Sequence, residues 1–416
     1  MSQAKKQLKL ADYAWTAGAT TASSLLLAGV GLAGVANHLA RKMLVPAKEP
    51  SENVRILSLG YASPTPGPQD QPTYITLEAD EKTLAPGRYG FFFAGGAGFA
   101  RLGQVSSYSP QEGSVTRPVE EVLYGDLSEA VRGRVSGVIA PTPQLAGYRA
   151  KDIELDLPVG PAPAWLIHPD ASLDLPENPA EPSETWAIMV HGMGATRDET
   201  LRALEATQQL GLTSLHMSYR NDRQAPDSSD RRYGLGYTEW RDVQVAIDYA
   251  LAHGARQVVL FGWSMGGSIC MQTADLARNR QAIAALVLDG PALDWLGLIV
   301  HHSKLNKIPD YVSSLSTQMM TKPHLAPLLG LAQPISLAQI SWPHRAKDIR
   351  KPILILHSLD DHFVPAAPSQ KLAQLSHLVD FVPFHQAPHT REWNVDPQGW
   401  TQAVTSWLSR QLRQSR

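Results

Sequence analysis

The segment Gly262-Trp263-Ser264-Met265-Gly266-Gly267 sets a serine between two glycines. It follows the apolar run Val258–Phe261 and opens a helix-like stretch that runs to Ala277. A strand, a very tight turn and a helix in that order raise a serine hydroxyl above a sheet and aim backbone N–H groups at it. The turn is so tight that the flanking residues must be small. A serine hydroxyl is a weak nucleophile at neutral pH and needs a base, itself oriented by a third group.

On a doubly wound sheet those partners come from later strand ends, in the order serine, acid, histidine. After the apolar run Ile353–Leu356 stands His357-Ser358-Leu359-Asp360-Asp361-His362-Phe363-Val364-Pro365. After Asp380–Phe384 stands Ala387-Pro388-His389-Thr390, ahead of a terminal helix predicted from near Asp396. The oxyanion of a tetrahedral intermediate needs donors as well. One is the backbone N–H of Met265, the residue after the serine; the other belongs to a glycine-rich loop after an early strand, where His191-Gly192-Met193-Gly194 stands. Each such donor typically supplies ~3 kcal/mol of transition-state stabilisation.

The elements that must position these residues are visible as apolar runs. Trp186–Val190, Leu212–Met217, Gln257–Phe261, Ala284–Leu288, Pro352–Leu356 and Asp380–Phe384 read as strands, and Glu239–His253 reads as an amphipathic helix through Val243, Ala246, Ile247 and Ala250. Strand–helix alternation implies a parallel sheet covered on both faces. Glu239, Arg241 and Asp242 open that helix, where capping and surface pairing are expected. Tyr219-Arg220-Asn221-Asp222 is expected to form a polar ion-pair loop or to contact substrate.

These segments resemble the α/β-hydrolase superfamily over roughly residues 151–416. The resemblance implies a doubly wound, mostly parallel sheet with a helical cap at about 292–346, where Asp294–Leu305 and Val312–Met320 look helical. The family carries its acid in a His-Gly-x-x-Asp-x-x-Val-Pro-like turn. Counting from His357 and back from Val364-Pro365 implies Asp361, with Asp360 beside it and Asp289, at an earlier strand end, as rivals. The family's base, a loop histidine before the last helix, matches His389, and its His-Gly-x loop implies Met193 as the second oxyanion donor. Among relatives the chain looks closest to the lysophospholipase- and prolyl-oligopeptidase-like bacterial serine hydrolases. Residues 51–150 are too few for the propeller of prolyl oligopeptidases, which tilts the expectation towards ester or thioester cleavage through an acyl-enzyme. No metal and no organic cofactor are implied. A serine peptidase of the same fold, or an inert membrane-tethered binding protein, are the alternatives.

In front of that body, residues 51–150 read as a small β-rich region with strands at Val54–Leu59, Tyr74–Leu77, Tyr89–Phe93 and Val115–Leu123. Gly95-Gly96-Ala97-Gly98 lacks the Lys-Ser/Thr of a phosphate-binding loop and is expected to be a hairpin turn. Residues 1–50 contain no formally charged side chain between Asp12 and Arg41, and Trp15–Ala36 is long enough for a membrane helix. Membrane association is therefore expected; export after signal cleavage and a cytoplasmic location are the alternatives. With 37 Lys plus Arg against 39 Asp plus Glu, a net charge of -2 argues against a nucleic-acid partner. The single cysteine, Cys270, excludes an internal disulfide and a cysteine-built zinc site.

Overall fold

The computed structural model describes residues 31–46, 50–65, 67, 70–174 and 183–414. The membrane helix expected at 15–36 lies outside the described residues for positions 15–30. Residues 31–44 are helical. Among the described residues, no helix is long and apolar enough to cross a membrane.

The described chain divides into two compact units. One joins residues 31–45 to Ile299–Ile335. In it, Ala36, Leu39, Ala40 and Leu44 are buried on the first helix. Ser316 Oγ, on the helix Asp310–Thr321, donates to Ala36 O at 2.8 Å, and Asn37 Nδ2 donates to Leu328 O at 2.9 Å.

The larger unit holds two sheets. The first contains β1 (Val54–Gly60), β2 (Tyr74–Glu78), β3 (Tyr89–Phe93), β4 (Gly98–Leu102), β5 (Ser107–Ser109), β6 (Ser114–Tyr124) and β7 (Arg132–Ser136). Their order is β2-β1-β7-β3-β4-β6-β5, and a further β2–β6 pairing closes a small antiparallel barrel. The closure depends on β6: its first half pairs with β2, and its second half with β4. Phe91, Phe93, Leu102, Leu77 and Val115 fill the interior. Gly95–Gly98 is a hairpin connection between β3 and β4, as expected, and the N–H groups of Gly95 and Gly96 are taken by the protein's own Glu52 carboxylate at 3.0 and 2.9 Å.

The second sheet contains β8 (Lys151–Leu157), β9 (Gly160–Ile167), β10 (Thr185–Val190), β11 (Thr213–Met217), β12 (Gln257–Trp263), β13 (Ile283–Asp289), β14 (Ile353–Ser358) and β15 (Val379–Phe384), in the order β15-β14-β13-β12-β10-β11-β9-β8. From β15 to β11 every pairing is parallel; β9 and β8 extend the sheet antiparallel. Because helices cover both faces, the central strands are apolar without alternation. Ala187, Val259, Phe261, Val287 and Leu354 pack on one face against Trp400, Val404, Trp407 and Leu408 of the helix Pro397–Gln414. On the helix Trp240–Ala252, Val243, Ala246, Ile247 and Ala250 are buried, and its Tyr249 meets Trp186 edge-on. Burying a large apolar side chain is worth about 1.5–3 kcal/mol, so this double layer fixes the strand ends from which the site is built.

Candidate active site

Ser264 stands at the end of β12, immediately before the helix Met265–Leu276. Its backbone adopts φ 52° and ψ -117°, a region that non-glycine residues occupy only when the surroundings hold them there. The surroundings do: Ser264 N–H donates to Asp289 O at 3.0 Å, and Ala292 N–H donates to Ser264 O at 3.1 Å. The turn closes so tightly that a Cβ on Gly266 would lie 2.1 Å from Val190 O.

The hydroxyl meets an imidazole. Ser264 Oγ lies 2.8 Å from His389 Nε2, and His389 Nδ1 lies 2.6 Å from Asp361 Oδ2. In the neutral imidazole this arrangement fits a proton on Nδ1, donated to the carboxylate, leaving Nε2 to accept from the serine. Asp361 is fixed in turn, since its Oδ1 accepts from the N–H groups of Phe363 and Val364 at 2.9 and 2.8 Å. Burial pushes the Asp361 carboxyl up, but hydrogen bonds from His357 and His389 outweigh it and hold the group well below the usual carboxylate range. Of the acids considered from sequence, the structure brings Asp361 to the imidazole. Asp360 instead accepts from Gln386 N–H at 2.7 Å, and Asp289 accepts from Trp400 Nε1 at 2.7 Å.

The His191–Gly194 loop runs beside the serine. A Cβ on Gly192 would sit 3.2 Å from Ser264 Cβ, so this loop approaches closely because it carries no side chain there. The N–H of Met193 makes no hydrogen bond among the described residues, and Met265 opens its helix, where N–H groups lack intrahelical acceptors. The constellation can pass a proton from a hydroxyl to an imidazole and offer N–H groups to an adjacent oxyanion. Among the described residues, no group of His, Cys, Asp or Glu side chains could hold a metal ion.

A family model described as the alpha/beta hydrolase fold matches residues 186–304, the stretch carrying the Gly192 loop, the Ser264 turn and the strand that ends at Asp289. Over that stretch the chain has the alpha/beta hydrolase fold. A second model, for a domain of unknown function (DUF8805), matches residues 67–136, most of the barrel. Solved structures of similar fold include esterase Pf2001 from Pyrococcus furiosus, at 17% identity and TM-score 0.48, covering 65% of this chain and 94% of that one. Est1E from Butyrivibrio proteoclasticus is 19% identical with TM-score 0.45, covering 63% and 99%. XC6422 from Xanthomonas campestris, described as a serine hydrolase without lid, is 17% identical with TM-score 0.41, covering 62% and 95%.

The shell behind the site is built from buried charge, and here one sequence expectation needs correction. Glu239 and Asp242 do not cap the helix at the surface: both are fully buried. Glu239 accepts from the N–H groups of Gly234 and Gly236, and Asp242 forms a bidentate pair with Arg220. The Tyr219–Asp222 loop is a network that fastens the Gly192 loop. Asp222 Oδ2 lies 3.0 Å from His191 Nε2, and Tyr219 OH donates to the carbonyls of His191 and Gly192 at 3.1 Å. His357 hydrogen-bonds Ser369 Oγ and Val364 O at 2.9 Å, the packed role its position suggested.

Glu392 escaped the sequence reading altogether, because a lone glutamate near a helix start carries no signal of burial. It is fully buried, and its Oε1 accepts from Ser358 N–H at 2.8 Å. Burial, and then the neighbouring Asp289 carboxylate, push its carboxyl well above the usual 4.5. Among the described residues, Asp289 Oδ1 and Glu392 Oε2 have no other hydrogen-bond partner, which a proton kept on Glu392 and donated to Asp289 satisfies. The native protein therefore keeps a proton that the unfolded chain releases, and stability falls as pH rises from about pH 5 towards the folded value. Glu392→Gln keeps an acceptor for Ser358 and can donate to Asp289 without titrating. Its melting temperature is expected to gain on the wild type steadily as pH rises, as thermal unfolding across pH would show. Parallel curves for the two proteins would dismiss the shared proton.

Proposed function

We propose that the protein is a serine hydrolase that cleaves carboxylic esters or thioesters through an acyl-enzyme. Ser264 is the nucleophile, His389 the general base and then the acid, and Asp361 the group that orients the imidazole and stabilises its charged form. The N–H groups of Met193 and Met265 receive the oxyanion. The observation that carries this reading is the continuous hydrogen-bonded chain from Ser264 Oγ through His389 to Asp361. A fluorophosphonate probe tests it: the wild type is expected to label, and Ser264→Ala is not. Equal labelling of both would remove Ser264 from the mechanism. Faster hydrolysis of aminoacyl anilides than of p-nitrophenyl esters would replace the esterase reading with a peptidase one.

A cleft of about 200 Å³ bears on the acyl group. Ala292, Leu293, Leu298, Val364, Pro365 and Pro368 line it, with Asp294 and Gly297. Two of its lining residues bond the proposed catalytic residues: Ala292 N–H donates to the Ser264 backbone carbonyl, and Val364 N–H donates to the Asp361 carboxylate. Its apolar walls suit an aliphatic chain, and its volume lies below the ~300–1,000 Å³ of pockets for drug-sized ligands. The preferred substrate is thus a short acyl ester. Leu298→Trp should lower kcat/KM for a hexanoyl ester about tenfold more than for an acetyl ester, since each excluded methylene is worth ~1–3 kcal/mol. Equal losses on both esters in steady-state assays would place the acyl chain elsewhere.

A further inference from the structure

The barrel meets the segment after His389 through a compact set of bonds. Arg88 N–H donates to Asn394 O at 2.9 Å. Asn394 Nδ2 returns bonds to Arg88 O at 2.8 Å and to Gly137 O at 3.2 Å. Asn394 is fully buried, and its Oδ1 accepts at 2.9 Å from Arg202 Nη1. That same nitrogen donates to the carbonyl of Thr390, next to His389, at 2.6 Å. Arg391 Nη1 reaches Thr390 O and Oγ1 at 2.9 and 3.0 Å. Space is as restrictive as bonding. A Cβ on Gly87, whose φ is +105°, would lie 2.3 Å from Asn394 O, and one on Gly137 would lie 2.5 Å from Arg391 Cζ.

Besides the barrel, the segment is tied to the catalytic sheet by Ser358 N–H donating to Glu392, but it has little regular structure of its own. Its only regular piece is the single turn Glu392–Val395, far below the ~12–15 residues at which an isolated helix becomes even marginal. Yet the imidazole it carries must stay within hydrogen-bond reach of both Ser264 and Asp361. A displacement of ~1 Å in such a constellation can cost about a hundredfold in rate.

We propose that the barrel clamps this loop: the Gly87–Arg88 turn and Gly137 fix residues 390–394 and so hold His389 between Asp361 and Ser264. The proposal rests on the reading of His389 as the base, and it gives the barrel a task. Asn394 and Arg202 are positioning residues, transmitting the barrel's hold through Thr390 to the imidazole.

The test compares full-length Gly87→Ala, Gly137→Ala and Asn394→Ala with Val115→Ala, which lies in the barrel core. Steady-state hydrolysis of p-nitrophenyl butyrate and amide hydrogen exchange of residues 387–396 are measured on each variant that melts cooperatively. The clamp variants are expected to lose about 10- to 100-fold in kcat with KM within about twofold. Exchange in 387–396 should rise about tenfold or more. Val115→Ala should leave both readouts near wild type despite a lower melting temperature. Folded clamp variants with wild-type kcat and exchange overturn the proposal, as does Val115→Ala matching their losses. Should the wild type turn over no ester, the functional reading fails, and exchange in 387–396 alone then decides on the clamp.

Discussion

His389→Ala is expected to lower kcat for a p-nitrophenyl ester by about 10⁵–10⁶-fold, with KM changed little. Without the imidazole, Ser264 Oγ has nothing at 2.8 Å to take its proton, and the departing alkoxide has no acid to protonate it. Asp361→Asn should cost about 10⁴-fold. The reason differs. The carboxylate accepts from Nδ1 at 2.6 Å, whereas an amide can turn its NH₂ towards that nitrogen and favour the tautomer with the proton on Nε2, where it blocks the serine. The effects should not add, since each removes the same proton relay: the double variant is expected within about tenfold of His389→Ala. Steady-state rates with each purified variant check this. His389→Ala retaining activity within tenfold of wild type would end the proposed mechanism. Because His357 and His389 keep the Asp361 carboxyl far below its ordinary range, it stays ionised through ordinary assay conditions.

What could be read from the sequence follows from how strongly each feature constrains composition. The parallel strands are buried on both faces, so Trp186–Val190 and Val258–Phe261 admit only apolar residues and stand out as runs. The elbow leaves an equally plain trace, because a Cβ on Gly262, Gly266 or Gly267 would meet another atom at 2.6, 2.1 or 2.6 Å. His389 and an acid near residue 360 are expected from successive strand ends, but only the resemblance to the family's acid-bearing turn favours Asp361 over Asp360 and Asp289. The sequence reading missed β4, β5 and β7, whose short segments carry glycine and serine and whose inward residues alternate over few positions. It also missed β8 and β9. In β9 Pro161 and Pro163 interrupt the run, and both are tolerated because the antiparallel ladder with β8 needs no donor there. Hardest to foresee was the buried charge. Arg117, Arg202, Glu239 and Glu392 are each fully or almost fully buried, yet each looks like an ordinary surface residue, since only partners distant in sequence make burial tolerable.

Arg117→Met is expected to destabilise the folded protein by about 3–5 kcal/mol, more than most single substitutions. A buried ion pair can often be exchanged for a hydrocarbon at little cost, because both charges leave together. Arg117 is a different case. Among the described residues its guanidinium has no carboxylate partner; Nε donates to Thr83 O at 2.9 Å, and Nη1 to Gly87 O and Gly103 O at 2.9 and 2.8 Å, while Nη2 donates to Ala85 O. Burial pushes its pKa down, because the carbonyls must replace the water that solvates an exposed guanidinium. Methionine fills the volume but cannot replace the donors, and backbone carbonyls cannot be mutated away, so each is left facing hydrocarbon at about 1–3 kcal/mol. Lysine should rescue only part of the loss, because a single ammonium cannot reach acceptors spread around a planar fork. Equilibrium unfolding in urea measures the difference, and a loss below about 1 kcal/mol would show that the carbonyls find other donors. The carbonyls of Thr83, Ala85 and Gly87 belong to the turn that abuts Asn394, so the substitution should also loosen the loop bearing His389. If the barrel clamps that loop, the residual folded Arg117→Met protein should show a lower kcat than Val115→Ala at equal folded fraction, which ties the stability of one sheet to the chemistry at the edge of the other.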